Sequence, residues 1–216
     1  MKNCIHKDKN IRRIISIFVV EKILCYTIMT RIIAAFDSFK GSLTSREAGE
    51  AFRCGFLEVH PDAEVVILPI ADGGEGMAEA IVEGVGGAMA TAMAHDPIGR
   101  EIKASYGVIN EGATAIIPIS SASGITLLAP EERNPLYATT YGTGELLLDA
   151  LKRGCSKIIV GLGGSATNDG GSGLLRALGY KFLDADGVEL TDTIDVLERV
   201  DRVIPPENSP LKGVEI

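Results

Sequence analysis

Three polar, glycine-rich segments carry the side chains best suited to chemistry, and each follows a short apolar run. The first, Asp37-Ser38-Phe39-Lys40-Gly41-Ser42, places a carboxylate, two hydroxyls and an ammonium together. Lysine neutralises a phosphate or carboxylate as a compact point charge, and an aspartate there would bind Mg2+ or accept a hydroxyl proton. A solvated loop with aspartate as turn former is the plainer alternative. The second, Asp72-Gly73-Gly74-Glu75-Gly76, sets two carboxylates three residues apart across a glycine turn. They would orient a sugar-acid hydroxyl or a hydrated Mg2+, or simply compensate charge at a helix start. The third runs Gly161-Leu162-Gly163-Gly164-Ser165-Ala166-Thr167-Asn168-Asp169-Gly170-Gly171. Glycines let backbone N–H groups approach a ligand, a following helix start adds unpaired donors, and Ser165 and Thr167 add hydroxyls. The expectation is an anion cradle suited to phosphate, against the alternative of a capping turn. Asp169 fits such a site if it binds Mg2+ or accepts a proton.

The elements that must position these loops follow from periodicity. Residues 31–36, 64–68 and 157–160 read as buried strands. Thr44-Ser45-Arg46-Glu47 is a capping-box pattern that opens a helix reaching His60. Met77, Ala80, Ile81 and Val85 mark a second helix, Glu145 to Arg153 a third, and Leu174, Leu175 and Leu178 a fourth. Between them, 88–94, 101–109 and 113–119 read as an antiparallel meander, either a small insertion or an added sheet edge. Residues 180–183 read as a strand. The alternation predicts an α/β fold, a mostly parallel sheet flanked by helices with a small antiparallel β insertion around 88–120. Ligands of such sheets sit beyond the carboxyl ends of the strands, where all three loops fall.

Composition narrows the classes. The chain has 216 residues, a net charge of −8 and 46% hydrophobic residues, which excludes a disordered chain. An acidic balance argues against nucleic acid as partner. Residues 1–28 are the exception, with six Lys/Arg against two acids. Their apolar run, Ile14 to Val20, is too short to span a membrane and lacks a signal-peptide cleavage pattern. This segment reads as an unstructured or non-native leader, with the domain running over 29–216. The four cysteines form no C-x-x-C pair, which predicts reduced thiols and a cytoplasmic protein. His6, His60 and His95 stand isolated and read as surface or loop residues. Gly161-x-Gly163-x-x-Ala166, with Asp184 downstream, matches a dinucleotide fingerprint. Polar residues and three further glycines intervene before any helix, which weighs against an NAD-dependent oxidoreductase.

Four motifs occur in order: Phe36 to Ser42, Ala71 to Gly76, Asn134-Pro135 with Thr139-Thr140-Tyr141-Gly142-Thr143-Gly144-Glu145-Leu146, and Gly161 to Gly171. Together they resemble the bacterial glycerate kinase family, in its type-1 group. The resemblance covers nearly everything after the leader, and its specificity lies in the four motifs jointly. It implies ATP-dependent phosphorylation of D-glycerate, a Mg2+ requirement and a two-domain α/β architecture. The implied product is mostly 2-phosphoglycerate, with 3-phosphoglycerate in older usage. On this reading Lys40 neutralises the glycerate carboxylate or the moving phosphoryl group. Asp37, Asp72 or Asp169 holds the metal or takes the hydroxyl proton, with Asp72 and Asp169 as metal candidates. Gly163, Gly164, Ser165, Thr167 and Asn168 cradle the ATP phosphates, and Thr140, Thr143 and Gly144 add a second surface. Ser38, Ser42, Gly73, Gly74 and Glu75 face the substrate, and Arg133 is a candidate carboxylate clamp. Family members begin near the Asp37 loop and continue past the position of Ile216. The expectation is therefore an N-terminal portion, inactive by itself, with Val214-Glu215-Ile216 beginning a strand. A non-catalytic nucleotide- or sugar-acid-binding module is the alternative.

Overall fold

The structure, a computed structural model, describes residues 30–39, 42–191 and 197–216. The chain divides into two compact units, residues 1–71 and 72–216. In the first, β1 (Arg31–Ala34) pairs in parallel with β2 (Glu64–Ile67). A parallel pair needs a long crossover, supplied here by α1 (Ser45–Val59). The capping box opens this helix: the Glu47 N–H donates to Thr44 Oγ1 at 3.2 Å, and the Thr44 N–H donates to Glu47 Oε2 at 2.9 Å. Gly49 lets the helix approach the sheet, since a Cβ there would lie 2.5 Å from Ile67 Cγ2.

The second unit is built on a four-stranded sheet in the order β3-β4-β5-β6, from Ala88–His95, Glu101–Ile109, Thr114–Pro118 and Lys157–Gly161. β3–β4 and β4–β5 are antiparallel, joined by short turns, whereas β5–β6 is parallel. The α/β class is as read from the sequence. Parallel pairing is found at β1–β2 and β5–β6, and the meander supplies three strands of the larger sheet. It is a continuous edge of that sheet, not a separate layer. The helices are α2 (Met77–Val85), α3 (Ser120–Ser123), α4 (Tyr141–Lys152) and α5 (Ser172–Ala177). An antiparallel pair, β7 (Lys181–Leu183) and β8 (Arg202–Ile204), follows.

Strand β5 is buried along its whole length, and its side chains alternate between the sheet's two faces. Ile116 meets Ala78, Met77, Ile81 and Val82 of α2. Ala115 and Ile117 join Leu146, Leu147 and Ala150 of α4. Burial on both faces explains why this strand reads as a continuous apolar run. Helix α4 begins at Tyr141, four residues before the stretch legible in the sequence. Gly142 and Gly144 are poor helix formers, but a Cβ on either would collide with backbone, at His95 O and Leu174 O respectively. Close packing therefore holds this turn. Glu215 makes a single parallel bridge to Lys157 beside β6. Among the described residues, no helix is long and apolar enough to cross a membrane.

Candidate functional site

The parallel pair β5–β6 sends its two carboxyl ends to the same edge of the sheet, and the chain leaves each strand in a polar turn. After β5 comes Ile119-Ser120-Ser121-Ala122-Ser123, and after β6 the long glycine loop. Three backbone bonds lace these turns together. Ile119 N–H donates to Gly161 O at 2.7 Å, Ile125 N–H to Gly164 O at 2.9 Å, and Ala166 N–H to Ser123 O at 2.9 Å. The 72–76 loop lies on the same edge. Gly163 N–H donates to Gly73 O at 3.0 Å, and Asp72 Oδ1 accepts the Gly74 N–H at 3.1 Å. The two glycine clusters need each other, because a Cβ on Gly161 would lie 2.3 Å from Gly73 O and one on Gly163 2.7 Å from Gly74 N. Part of the glycine richness is thus a condition of loop-on-loop packing. Gly164 (φ +75°) faces Ser120 and Glu75: a Cβ placed on it would sit 3.3 Å from Ser120 Cβ and 3.7 Å from Glu75 Oε1. Among the described residues, the N–H groups of Gly164 and Ser165 donate no hydrogen bond. Two of the three motifs, Asp72–Gly76 and Gly161–Thr167, are therefore brought together, with Ser120 between them.

The rest of the glycine loop is occupied by its own structure. Ser165 Oγ and Thr167 Oγ1 lie 2.7 Å apart, and Ser165 Oγ accepts the Thr167 N–H at 3.0 Å. Asn168 is exposed. Asp169, only 2% exposed, accepts four hydrogen bonds. Its Oδ2 takes the Thr140 N–H and hydroxyl, both at 2.8 Å, and the Gly173 N–H at 3.1 Å; its Oδ1 takes the Gly171 N–H at 3.1 Å. Thr140 Oγ1 also accepts the Leu174 N–H at 2.9 Å. The first donors of α5 are thus satisfied by Asp169 and Thr140. Thr143 is fully buried and shares a 2.8 Å hydrogen bond with Ser123 Oγ, and Gly144 packs on Leu174 and Ala177.

The Asp37 loop belongs to the first unit. Asp37 Oδ1 accepts the Ser38 N–H at 2.7 Å, and exposed Ser42 donates its N–H to Phe39 O at 2.8 Å. Lys40 and Gly41 lie outside the described residues, as does the leader, residues 1–28. Arg133 is exposed, with its Nε 3.3 Å from Leu128 O. Asp184 caps its own turn. Hydrogen bonds from the Val188 N–H, the Arg199 guanidinium and the Asp186 N–H hold its carboxyl below the usual range. With Asp184 so engaged and a helix starting only at Ser172, the dinucleotide fingerprint loses its ribose holder and its helix.

Two features escaped the sequence reading. The serines after β5 carry no glycine signal, and only the parallel pairing with β6 puts Ser120 beside Gly164. His95 is not isolated: its Nδ1 lies 2.9 Å from Glu145 Oε1, and its N–H donates to Glu145 Oε2 at 2.7 Å. Fifty residues separate the two, so no local spacing reveals the pair.

A magnesium ion was expected on Asp72 or Asp169. Asp169 does not fit, because Oδ2 already accepts three hydrogen bonds and Oδ1 a fourth, and at 2% exposure water scarcely reaches the lone pair that Oδ1 keeps. Asp72 is exposed. No three His, Cys, Asp or Glu side chains among the described residues are grouped to hold a metal. Magnesium takes many of its ligands from substrate phosphates and water, so a sparse protein donor set is compatible with a nucleotide-borne ion.

Glycine loops gathered at the carboxyl ends of a parallel strand pair mark an α/β protein, the class whose ligands bind beyond the carboxyl ends of the strands. The Glycerate kinase family matches residues 32–216, and the chain belongs to that family. It is 48% identical over 160 residues to glycerate 2-kinase of Escherichia coli (strain K12), covering 74% of this chain and 42% of the relative. It is 46% identical over 160 residues to glycerate kinase of Bacillus subtilis (strain 168), with the same coverage of each. A solved candidate glycerate kinase 2 from Salmonella typhimurium LT2 matches with a TM-score of 0.66 at 41% identity, over 82% of this chain and 47% of that one. The chain thus spans less than half the length of these relatives.

Proposed function

We propose that the protein transfers the terminal phosphoryl group of ATP to a hydroxyl of D-glycerate. Family membership supports the substrate class. The observation that carries the reading is the joining of Glu75, Ser120 and the Gly163–Ser165 backbone at one sheet edge. The undonated N–H groups of Gly164 and Ser165 would face phosphate oxygens, as backbone nests do. The 2-hydroxyl is the favoured acceptor because the E. coli relative carries the name glycerate 2-kinase.

In this reaction the glycerate O–H bond breaks and a new O–P bond forms. The bond between the γ-phosphorus and its bridging oxygen breaks, and ADP leaves with the electron pair. Such transition states are loose, so catalysis is chiefly positioning and charge neutralisation. Lys40 supplies a positive charge for the carboxylate or the phosphoryl group. Asp37 or Asp72 takes the hydroxyl proton. Gly73, Gly74 and Glu75 form the glycerate side. Gly163, Gly164 and Ser165 hold phosphates, flanked by Thr167 and Asn168. Asp72 would hold a Mg2+ ion brought by the nucleotide, which would supply charge neutralisation when bound.

A coupled assay of ADP release with D-glycerate on the whole protein tests this. ADP formed in step with phosphoglycerate supports it. ATP bound without turnover would favour a non-catalytic binding module instead.

A further inference from the structure

The buried carboxylate of Asp169 ties together two stretches of chain, and its geometry is that of a tether. Thr140, at the entry to α4, gives it both an N–H and a hydroxyl. Gly171 and Gly173, at the exit of the glycine loop, give it two more N–H groups. Thr140 returns its oxygen to the Leu174 N–H, so the network closes on itself within protein. Thr140 and Asp169 are each 2% exposed. Gly173 has no room for a side chain at this junction: a Cβ would sit 2.2 Å from Thr139 Oγ1, 2.7 Å from Tyr141 N and 2.8 Å from Asp169 Oδ2. Upstream, the same loop is fastened to α4 a second time, through Ala166 N–H to Ser123 O and Ser123 Oγ to Thr143 Oγ1. The segment between these fastenings, 166–169, thus has both ends referred to one helix.

We propose that Asp169 acts through Thr140 as a positioning residue, setting the curvature of the glycine loop for phosphate, and that it holds no metal ion. This rests on the phosphoryl-transfer reading for the identity of the ligand. Three of the four donors fall on Oδ2 and one on Oδ1, and at 2% exposure the lone pair that Oδ1 keeps is closed off by protein from a hydrated cation. Buried hydrogen-bonded partners act as a unit, so losing one should lose most of the effect of losing both.

The test compares Asp169→Asn, Thr140→Val, Thr140→Ser and the Asp169→Asn/Thr140→Val double variant of the full chain. ATP affinity is measured with and without Mg2+, and unfolding midpoints are read alongside. Asp169→Asn and Thr140→Val should each weaken ATP binding by about ten- to a hundredfold, equally with and without Mg2+. The double variant should be little worse than either, and Thr140→Ser should bind as the parent does. The proposal is overturned if Asp169→Asn removes only the Mg2+-dependent part of binding while Thr140→Val binds normally. Should Asp169→Asn fail to fold, Thr140→Val and Thr140→Ser carry the comparison. They overturn the proposal if both bind ATP like the parent. A parent chain that binds no ATP sinks the phosphoryl-transfer reading. The tether is then decided by unfolding alone, where additive losses overturn it.

Discussion

Gly163 donates its N–H to the carbonyl of Gly73 at 3.0 Å, and through that bond two loops ninety residues apart in sequence become one surface. A Cβ on Gly163 would press on Gly74 N at 2.7 Å and Gly74 Cα at 2.8 Å. These are backbone atoms, which cannot swing aside as a side-chain tip can. Gly163→Ala should therefore part the loops and destabilise the second unit by about 1–3 kcal/mol, the usual cost of overpacking. Thermal unfolding reads the loss of stability, and ATP titration reads the parted loops as a weakened affinity. An alanine variant with parental values for both would show that the loops do not need this approach.

Gly84 makes the opposite case. It lies inside α2, is exposed, and a Cβ there would meet nothing within 4 Å. Its backbone is helical, so glycine contributes only unfolded-state freedom. Gly84→Ala should raise stability by roughly 0.5–1 kcal/mol and leave ATP binding unchanged. A lowered unfolding midpoint would show that the glycine serves a contact.

What was legible in the sequence was mostly local. The capping box at Thr44, the short apolar runs of β1, β2 and β6, and the meander turns are written within a few residues, and each is found as an element; β1 and β2, read as buried, are only partly so, with Ile33 65% exposed. The site was legible as separate glycine loops. Their joining was not, because it depends on β5 and β6 pairing in parallel across α3 and α4. The sequence places Ser120 and Gly164 forty-four residues apart, and only the sheet register brings them together. Helix α4 was read short because Gly142 and Gly144 signal a break, whereas packing on His95 and Leu174 requires them. The Asp169 hydrogen-bond network was not legible because composition does not show where a buried side chain finds its donors. Strand β8 carries exposed residues throughout, so it had no apolar rhythm to detect.

Lys40 lies outside the described residues, and its proposed role follows from its charge. A glycerate carboxylate and a triphosphate brought together repel one another, and a point-charge ammonium relieves that repulsion. Lys40→Ala should lower kcat/KM for glycerate by about 100-fold or more, the range seen when a catalytic electrostatic donor is removed. The unfolding midpoint should hardly move. Turnover near the parental value would remove Lys40 from the reaction.

Tyr106 gives the second unit a pH dependence that can be signed. Its ring is fully buried, and its hydroxyl donates to Asp149 Oδ2 at 2.7 Å, an oxygen also held by Arg153 Nε at 2.7 Å. Burial, then the hydrogen bond to Asp149, then the carboxylate's charge push the phenol well above its ordinary value, and the Arg153 charge opposes them only in part. The folded state therefore favours the protonated phenol. Its contribution to stability is complete below the unfolded phenol's pKa of about 10 and is lost as pH rises from there toward the folded value. Tyr106→Phe keeps the ring and leaves Asp149 paired with Arg153, so near neutral pH it should cost about 1 kcal/mol. As pH climbs through 10 to 11, the parental protein should lose stability faster than the variant, and the gap between them should close. Denaturant unfolding of both proteins across that range measures the gap. A constant offset would mean that the phenol does not titrate differently in the folded and unfolded chains.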